Sequence, residues 1–242
     1  MMPYVQADGS IVQPSAQEQQ RLNAAYEAKQ SGQRASNWSL VGPIQVLSNS
    51  GNPGNDQSNI YSVDQCAASP NIMYCGSETG EVYRSNDGGA SWFNVSYQMN
   101  FGSGVTAVEV HPTNGETVFV GGNDGIFRSI DGGQNWANVQ SVYGVNEILI
   151  NPGNTQIVLA ATDQGLYRST DGGAGFTQLY SQKSYDVKCK PGTPATMYLL
   201  KNNSSAIKCE FFRSTDSGAT WTIQTTGWYN STDPNRSDGG AR

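Results

Sequence analysis

The chain of 242 residues has one histidine, no apolar run approaching a membrane span of ~20 residues, and no cluster of lysine and arginine. Only 14% of residues are charged, and the net charge is −6. Without a concentrated basic surface the composition argues against a nucleic-acid partner. His111 precedes Pro112 and reads as a turn residue, which gives little support to a histidine-based triad or metal cluster. The opening Met1-Met2-Pro3-Tyr4 has neither the basic n-region nor the apolar h-region of a secretory leader. Such a leader is expected to have been removed, or the numbering begins inside a longer precursor.

What is present is glycine, 28 of them, and a phrase repeated four times. Its copies are Ser85-Asn86-Asp87-Gly88-Gly89-Ala90-Ser91-Trp92, Ser129-Ile130-Asp131-Gly132-Gly133-Gln134-Asn135-Trp136, Ser169-Thr170-Asp171-Gly172-Gly173-Ala174-Gly175-Phe176 and Ser214-Thr215-Asp216-Ser217-Gly218-Ala219-Thr220-Trp221. Successive aspartates lie 44, 40 and 45 residues apart. That period corresponds to one four-stranded antiparallel unit per repeat, stacked radially as propeller blades. Each copy follows an aromatic-arginine pair (Tyr83-Arg84, Phe127-Arg128, Tyr167-Arg168, Phe212-Arg213), so strand, turn and strand are legible. Aspartate accepts from nearby backbone N–H groups, glycine supplies positive φ, serine adds a local acceptor, and the closing ring covers the turn. These residues read as turn formers, neither catalysts nor metal ligands. Phe176 replaces the usual Trp, and Ser217 breaks the Gly-Gly pair.

The pattern S-x-D-x-G-x-x-W resembles the Asp-box, or BNR-like repeat, of sialidases, sortilin ectodomains, xyloglucanase-type endoglucanases and secreted bacterial propellers. Trp38-Ser39-Leu40-Val41-Gly42-Pro43 is similar to the opening strand of secreted Bacteroidetes propellers exported by the type IX pathway. The resemblance implies an all-β propeller and an extracellular or cell-surface location.

Residues 1–36 stand apart, Gln- and Ala-rich, with a capping box at Ser15-Ala16-Gln17-Glu18 that predicts a leader helix to about Lys29. The propeller is expected over 37–242, with four blades near 60–95, 104–140, 144–180 and 183–225. Four repeats are few for a closed ring, so the chain is expected to form part of a larger propeller, completed by the remainder of its own chain or a surface complex. Cys66 and Cys75 flank the first hairpin, and Cys189 and Cys209 lie in the fourth repeat. Disulfide pairing within each repeat is the simplest of three connectivities and implies an oxidising compartment; buried free thiols are the alternative.

Antiparallel connectivity places the prolines and the repeated turns on one face. The blade-to-blade connections share the other face, with Tyr97, Phe101, Tyr143, Tyr180, Tyr185, Trp228 and Tyr229. Aromatics around one opening suit stacking on sugar rings or gripping a protein. The carboxylates of that face (Glu78, Asp124, Asp163, Asp186, Asp233) show no pairing in the sequence. A glycosidase needs such a pair. The recurrent arginines occupy equivalent blade positions and read as scaffold, unlike the arginine cluster of a sialidase. No calcium-loop spacing occurs in Asn55-Asp56 or in Asp233 to Asp238, and no metal or cofactor is expected. The sequence therefore predicts a non-catalytic binding module for glycan or protein. Its alternatives are the propeller half of a xyloglucanase-type hydrolase and a structural component of a surface assembly.

Overall fold

The computed structural model describes residues 59–97, 99–203 and 209–224, preceded by two short strand pairs. These pairs are β1 (Tyr4–Val5) with β2 (Ile11–Val12), and β3 (Val46–Leu47) with β4 (Pro53–Gly54). The predicted leader helix, the opening strand at Trp38, and Trp228 and Tyr229 lie outside the described residues. No helix occurs among the described residues, and none there is long and apolar enough to cross a membrane.

Four antiparallel sheets of four strands follow in chain order, each a simple meander. Blade 1 holds β5 (Ile60–Gln65), β6 (Met73–Ser77), β7 (Val82–Ser85) and β8 (Phe93–Asn94). Blade 2 holds β9 (Ala107–Val110), β10 (Val118–Gly121), β11 (Ile126–Ser129) and β12 (Ala137–Gln140). Blade 3 holds β13 (Val145–Ile150), β14 (Val158–Thr162), β15 (Gly165–Ser169) and β16 (Thr177–Tyr180). Blade 4 holds β17 (Ser184–Lys190), β18 (Thr193–Asn202), β19 (Cys209–Ser214) and β20 (Thr222–Ile223). The first strands lie innermost, β5 against β9, β9 against β13 and β13 against β17, as in a β-propeller.

Register makes the blades comparable residue by residue. Met73, Val118, Val158 and Met197 each pair with the serine that opens a turn. The second strands of blades 2 and 3 are buried on both faces and so read as apolar runs, whereas their fourth strands are largely exposed. The core sits between blades. Tyr74 of blade 1 donates its buried hydroxyl to Gly115 O of blade 2 at 2.8 Å. Phe101, 1% exposed, packs edge-on against Phe127 and Trp136. Neighbouring inner strands approach so closely that a Cβ on Gly76 or Gly121 would strike Val105 or Val145 of the next blade.

Each repeated turn is closed by its own serine and aspartate. The serine Oγ accepts from the glycine N–H four residues on at 2.8–2.9 Å and donates to the aspartate Oδ1 at 2.6–2.8 Å. Oδ1 then accepts from the N–H four residues further, at Ser91, Asn135, Gly175 and Thr220. Ser217 adopts φ 59° where the other copies place glycine at 70–76°. It is the one non-glycine residue with positive φ among the described residues. Two of the recurrent arginines tie successive blades: Arg84 bonds Glu116 and Gly132 O, and Arg168 Nε donates to Ser217 O at 3.1 Å. Arg128 lies over the Phe119 ring, its buried Nε without a partner among the described residues.

The cysteine expectation is corrected. All four thiols are free. Cys66 N bonds Ile72 O, while Cys75 stands opposite Val63, three residues along the same strand pair. Three residues of strand separate the two by ~10 Å, beyond the reach of a disulfide. Cys189 pairs with Met197, and Cys209 pairs with Asn202, five positions along β18 and one strand further out. Burial pushes the Cys75 thiol up to about 12 and that of Cys189, helped by Glu109, to about 11. The argument from cysteine to an oxidising compartment falls with the pairing.

Candidate functional site

The blade-to-blade connections carry the most exposed aromatic side chains. Tyr97, between blades 1 and 2, is 82% exposed, and Tyr143, between blades 2 and 3, is 56% exposed. Equivalent connections put them on one face. The main chain beneath Tyr143 is fixed by Gln164 Oε1, which accepts from its N–H at 3.1 Å. Tyr185 and Tyr180 are half-buried. The Lys183 ammonium lies 5.2 Å from the Tyr185 ring centre. Tyr180 packs 6.1 Å from Phe212, with Lys201 above both rings. Phe101 belongs to the core and offers no surface to a ligand, because its ring fills the space between β11 and Trp136.

Polar groups of this face are mutually engaged. Asp163 Oδ1 pairs with Lys183 Nζ at 2.7 Å and accepts from Asn146 Nδ2 at 2.9 Å. Glu78 accepts from Asn59 Nδ2 at 2.6 Å. Asp124 is wedged against Gly102, where any Cβ would collide with its carboxylate. Lys201, almost fully buried, is held by Glu210 at 3.2 Å. Asp163 and Glu78 are thus engaged by neighbouring side chains.

A second constellation lies on the inner strands, and of its carboxylates the sequence singles out Asp186 alone. Asp64 Oδ2 accepts from Val110 N at 2.7 Å, and Glu109 Oε1 from Ile150 N at 2.8 Å. Each carboxylate thus caps a backbone donor of the next blade's inner strand. The register places Asp64, Glu109, Leu149 and Lys188 at one equivalent position. Lys188 pairs with Glu147 at 2.5 Å and approaches Asp186 at 3.7 Å. One cation thus serves a group of four carboxylates. Burial, then the Asp64 charge, pushes the Glu109 carboxyl up to about 8. Burial likewise raises Glu147 against the pull of Lys188. The signal available in sequence was a lone charge within an apolar strand, as in Ala107-Val108-Glu109-Val110. Among the described residues no group of three or more His, Cys, Asp or Glu side chains is arranged to hold a metal.

The turn aspartates are made more acidic by the bonds that close the turns. Hydrogen bonds from Ser91 and Ser85 hold Asp87 down to about 2, and Asp131 and Asp171 are lowered in the same way.

No protein-family model and no curated protein matches this chain. Among solved structures it is similar to an ancestral GH74 enzyme, with TM-score 0.60 and 16% identity over 79% of this chain and 27% of that one. It is also similar to the GH74 enzyme of Niastella koreensis, with TM-score 0.56 and 18% identity over 68% of this chain and 30% of that one. The chain thus spans less than a third of either. At these identities the likeness is one of fold, and it agrees with the propeller arrangement of the four sheets.

Proposed function

We propose that the chain is a non-catalytic binding module of an exported, surface-located Asp-box propeller, taking a glycan or a protein on its blade-connection face. The observation that carries this reading is the exposure of Tyr97 and Tyr143 at consecutive connections, 82% and 56%, beside Asp163 and Glu78 that neighbours already engage. Tyrosine brings contact area at low entropy cost, and each stacked ring contributes about 1 kcal/mol. Replacing both with alanine is therefore expected to weaken binding by roughly tenfold or more. Their exposure means the melting temperature should hardly move.

A second reading, one wall of a two-propeller hydrolase cleft, draws on the fold likeness to the two GH74 enzymes. Affinity electrophoresis in soluble polysaccharides, with reducing ends assayed in the same samples, separates the two. Retardation lost in the double tyrosine variant supports the module. Release of reducing ends supports the hydrolase. Neither result overturns the glycan arm and leaves a surface protein as the ligand.

A further inference from the structure

One turn of the four lacks both a side-chain donor four residues after its aspartate and a closing tryptophan, and a groove opens there. In three copies the residue four after the aspartate donates a side-chain hydrogen bond to Oδ2. Ser91 bonds Asp87 at 2.5 Å, Asn135 bonds Asp131 at 2.7 Å and Thr220 bonds Asp216 at 2.5 Å. Blade 3 has Gly175 there, so the three bonds to Asp171 all fall on Oδ1, and Oδ2 accepts none from the described residues. The next residue is Phe176 in place of Trp, which lacks the indole N–H that Trp92 and Trp221 donate to a turn carbonyl.

Both departures line a groove of about 490 Å³, together with Arg168, Thr170, Asp171, Thr177 and Leu179. The equivalent groove of blade 4, where Thr220 and Trp221 keep the common pattern, measures about 220 Å³ and includes neither Asp216 nor Trp221 in its lining. Arg168 spends its Nε on Ser217 O, and its terminal nitrogens have no hydrogen-bond partner among the described residues. The groove therefore offers a free carboxylate oxygen, a guanidinium with unspent donors, two threonine hydroxyls, and an apolar floor of Phe176 and Leu179.

We propose that this groove is a saccharide-binding site, separate from the blade-connection face, that seats one pyranose ring. A sugar has an apolar C–H face to lie on Phe176 and adjacent hydroxyls that both donate and accept. One hydroxyl donates to Asp171 Oδ2 and its neighbour accepts from the Arg168 guanidinium, a division that a carboxylate and an arginine lining one groove allow. A simple anion fits less well, because Asp171 repels it. The site adds a second contact to the binding-module reading and is tested apart from it.

The test uses the whole chain labelled with ¹⁵N and titrated with methyl pyranosides of the gluco, galacto, manno and xylo series. Saturable shifts of the Ala174, Gly175 and Thr177 amides by at least one of them are expected. Gly175→Ser with Phe176→Trp restores the pattern of the other turns. A Cβ at 175 meets Asp171 Oδ2 at an ordinary 3.6 Å, so this variant should fold as well as its parent. It should lose binding by tenfold or more. The Tyr97→Ala and Tyr143→Ala variant should keep it, which separates failure here from failure at the other face. Absence of shifts with all four sugars, or undiminished binding by the restored turn, would overturn the assignment.

Discussion

Replacing Glu109 with glutamine is expected to stabilise the propeller in alkali and leave it unchanged in acid. Burial and the neighbouring Asp64 hold this carboxyl at about 8, against an ordinary 4.5. In the unfolded chain it ionises near its ordinary value. Between the two values the folded state therefore keeps a proton that the unfolded state has lost. The favourable contribution is complete below 4.5 and is lost as pH rises through about 8. At ~1.4 kcal/mol per pH unit the gap sets a ceiling near 5 kcal/mol. The side chain keeps part of its surface in water and has Lys188 nearby, which brings the expected gain to about 2 kcal/mol at pH 9. Glutamine keeps an oxygen for the Ile150 N–H. Urea denaturation followed by tryptophan fluorescence at pH 4, 6.5 and 9 measures the difference. A gain that is the same at all three pH values would show that packing, not charge, is responsible. A variant less stable than its parent at pH 9 would refute the reasoning outright.

The turn aspartates should show the opposite dependence. Asp87 is held at about 2 by Ser91 and Ser85, so the stability it lends is present above 3.8 and disappears as pH falls through about 2. Protection of the Ser91 amide from hydrogen exchange should persist at pH 3, and its collapse near pH 4 would contradict the bond pattern. The thiols give a third test. Without reductant, iodoacetamide in guanidinium chloride should add four labels per chain, and under native conditions it should spare the buried Cys66 and Cys75. A denatured chain that accepts only two labels would restore a disulfide.

The propeller was legible because its turn is local. Serine, aspartate and two glycines close one loop through contacts within a few residues, so four copies at an even period carry the architecture on their face. The inner carboxylates were not legible for the converse reason. Asp64, Glu109 and Lys188 lie some forty residues apart or more, and only strand register brings them to one level of the inner strands. Phe101 was misread because a connection can dip into the core, and alternation says nothing in a segment without a strand. The cysteines misled because nearness along a hairpin was taken for nearness in space, although a shift of three residues along a strand is ~10 Å. Gly175 and Phe176 stood in plain view as departures, but a missing side chain becomes meaningful only beside the bonds its counterparts make.

The tight joints between inner strands also write an order into the molecule. At the first joint Gly76 receives Val105, and at the second Gly121 receives Val145. The register sets Ala161 and Ser184, both buried, at the same places of the third. A large residue meets an absent one twice, and two small ones meet once. Blade 4 carries Leu200 at the position held by those glycines, so it could not stand where blade 1 or blade 2 stands without driving a leucine into a valine. The repeats share one fold and one turn, yet they are not interchangeable parts. Shuffling that sets Leu200 or Ala161 against Val105 or Val145, by recombination or by docking out of turn during folding, is penalised by volume alone.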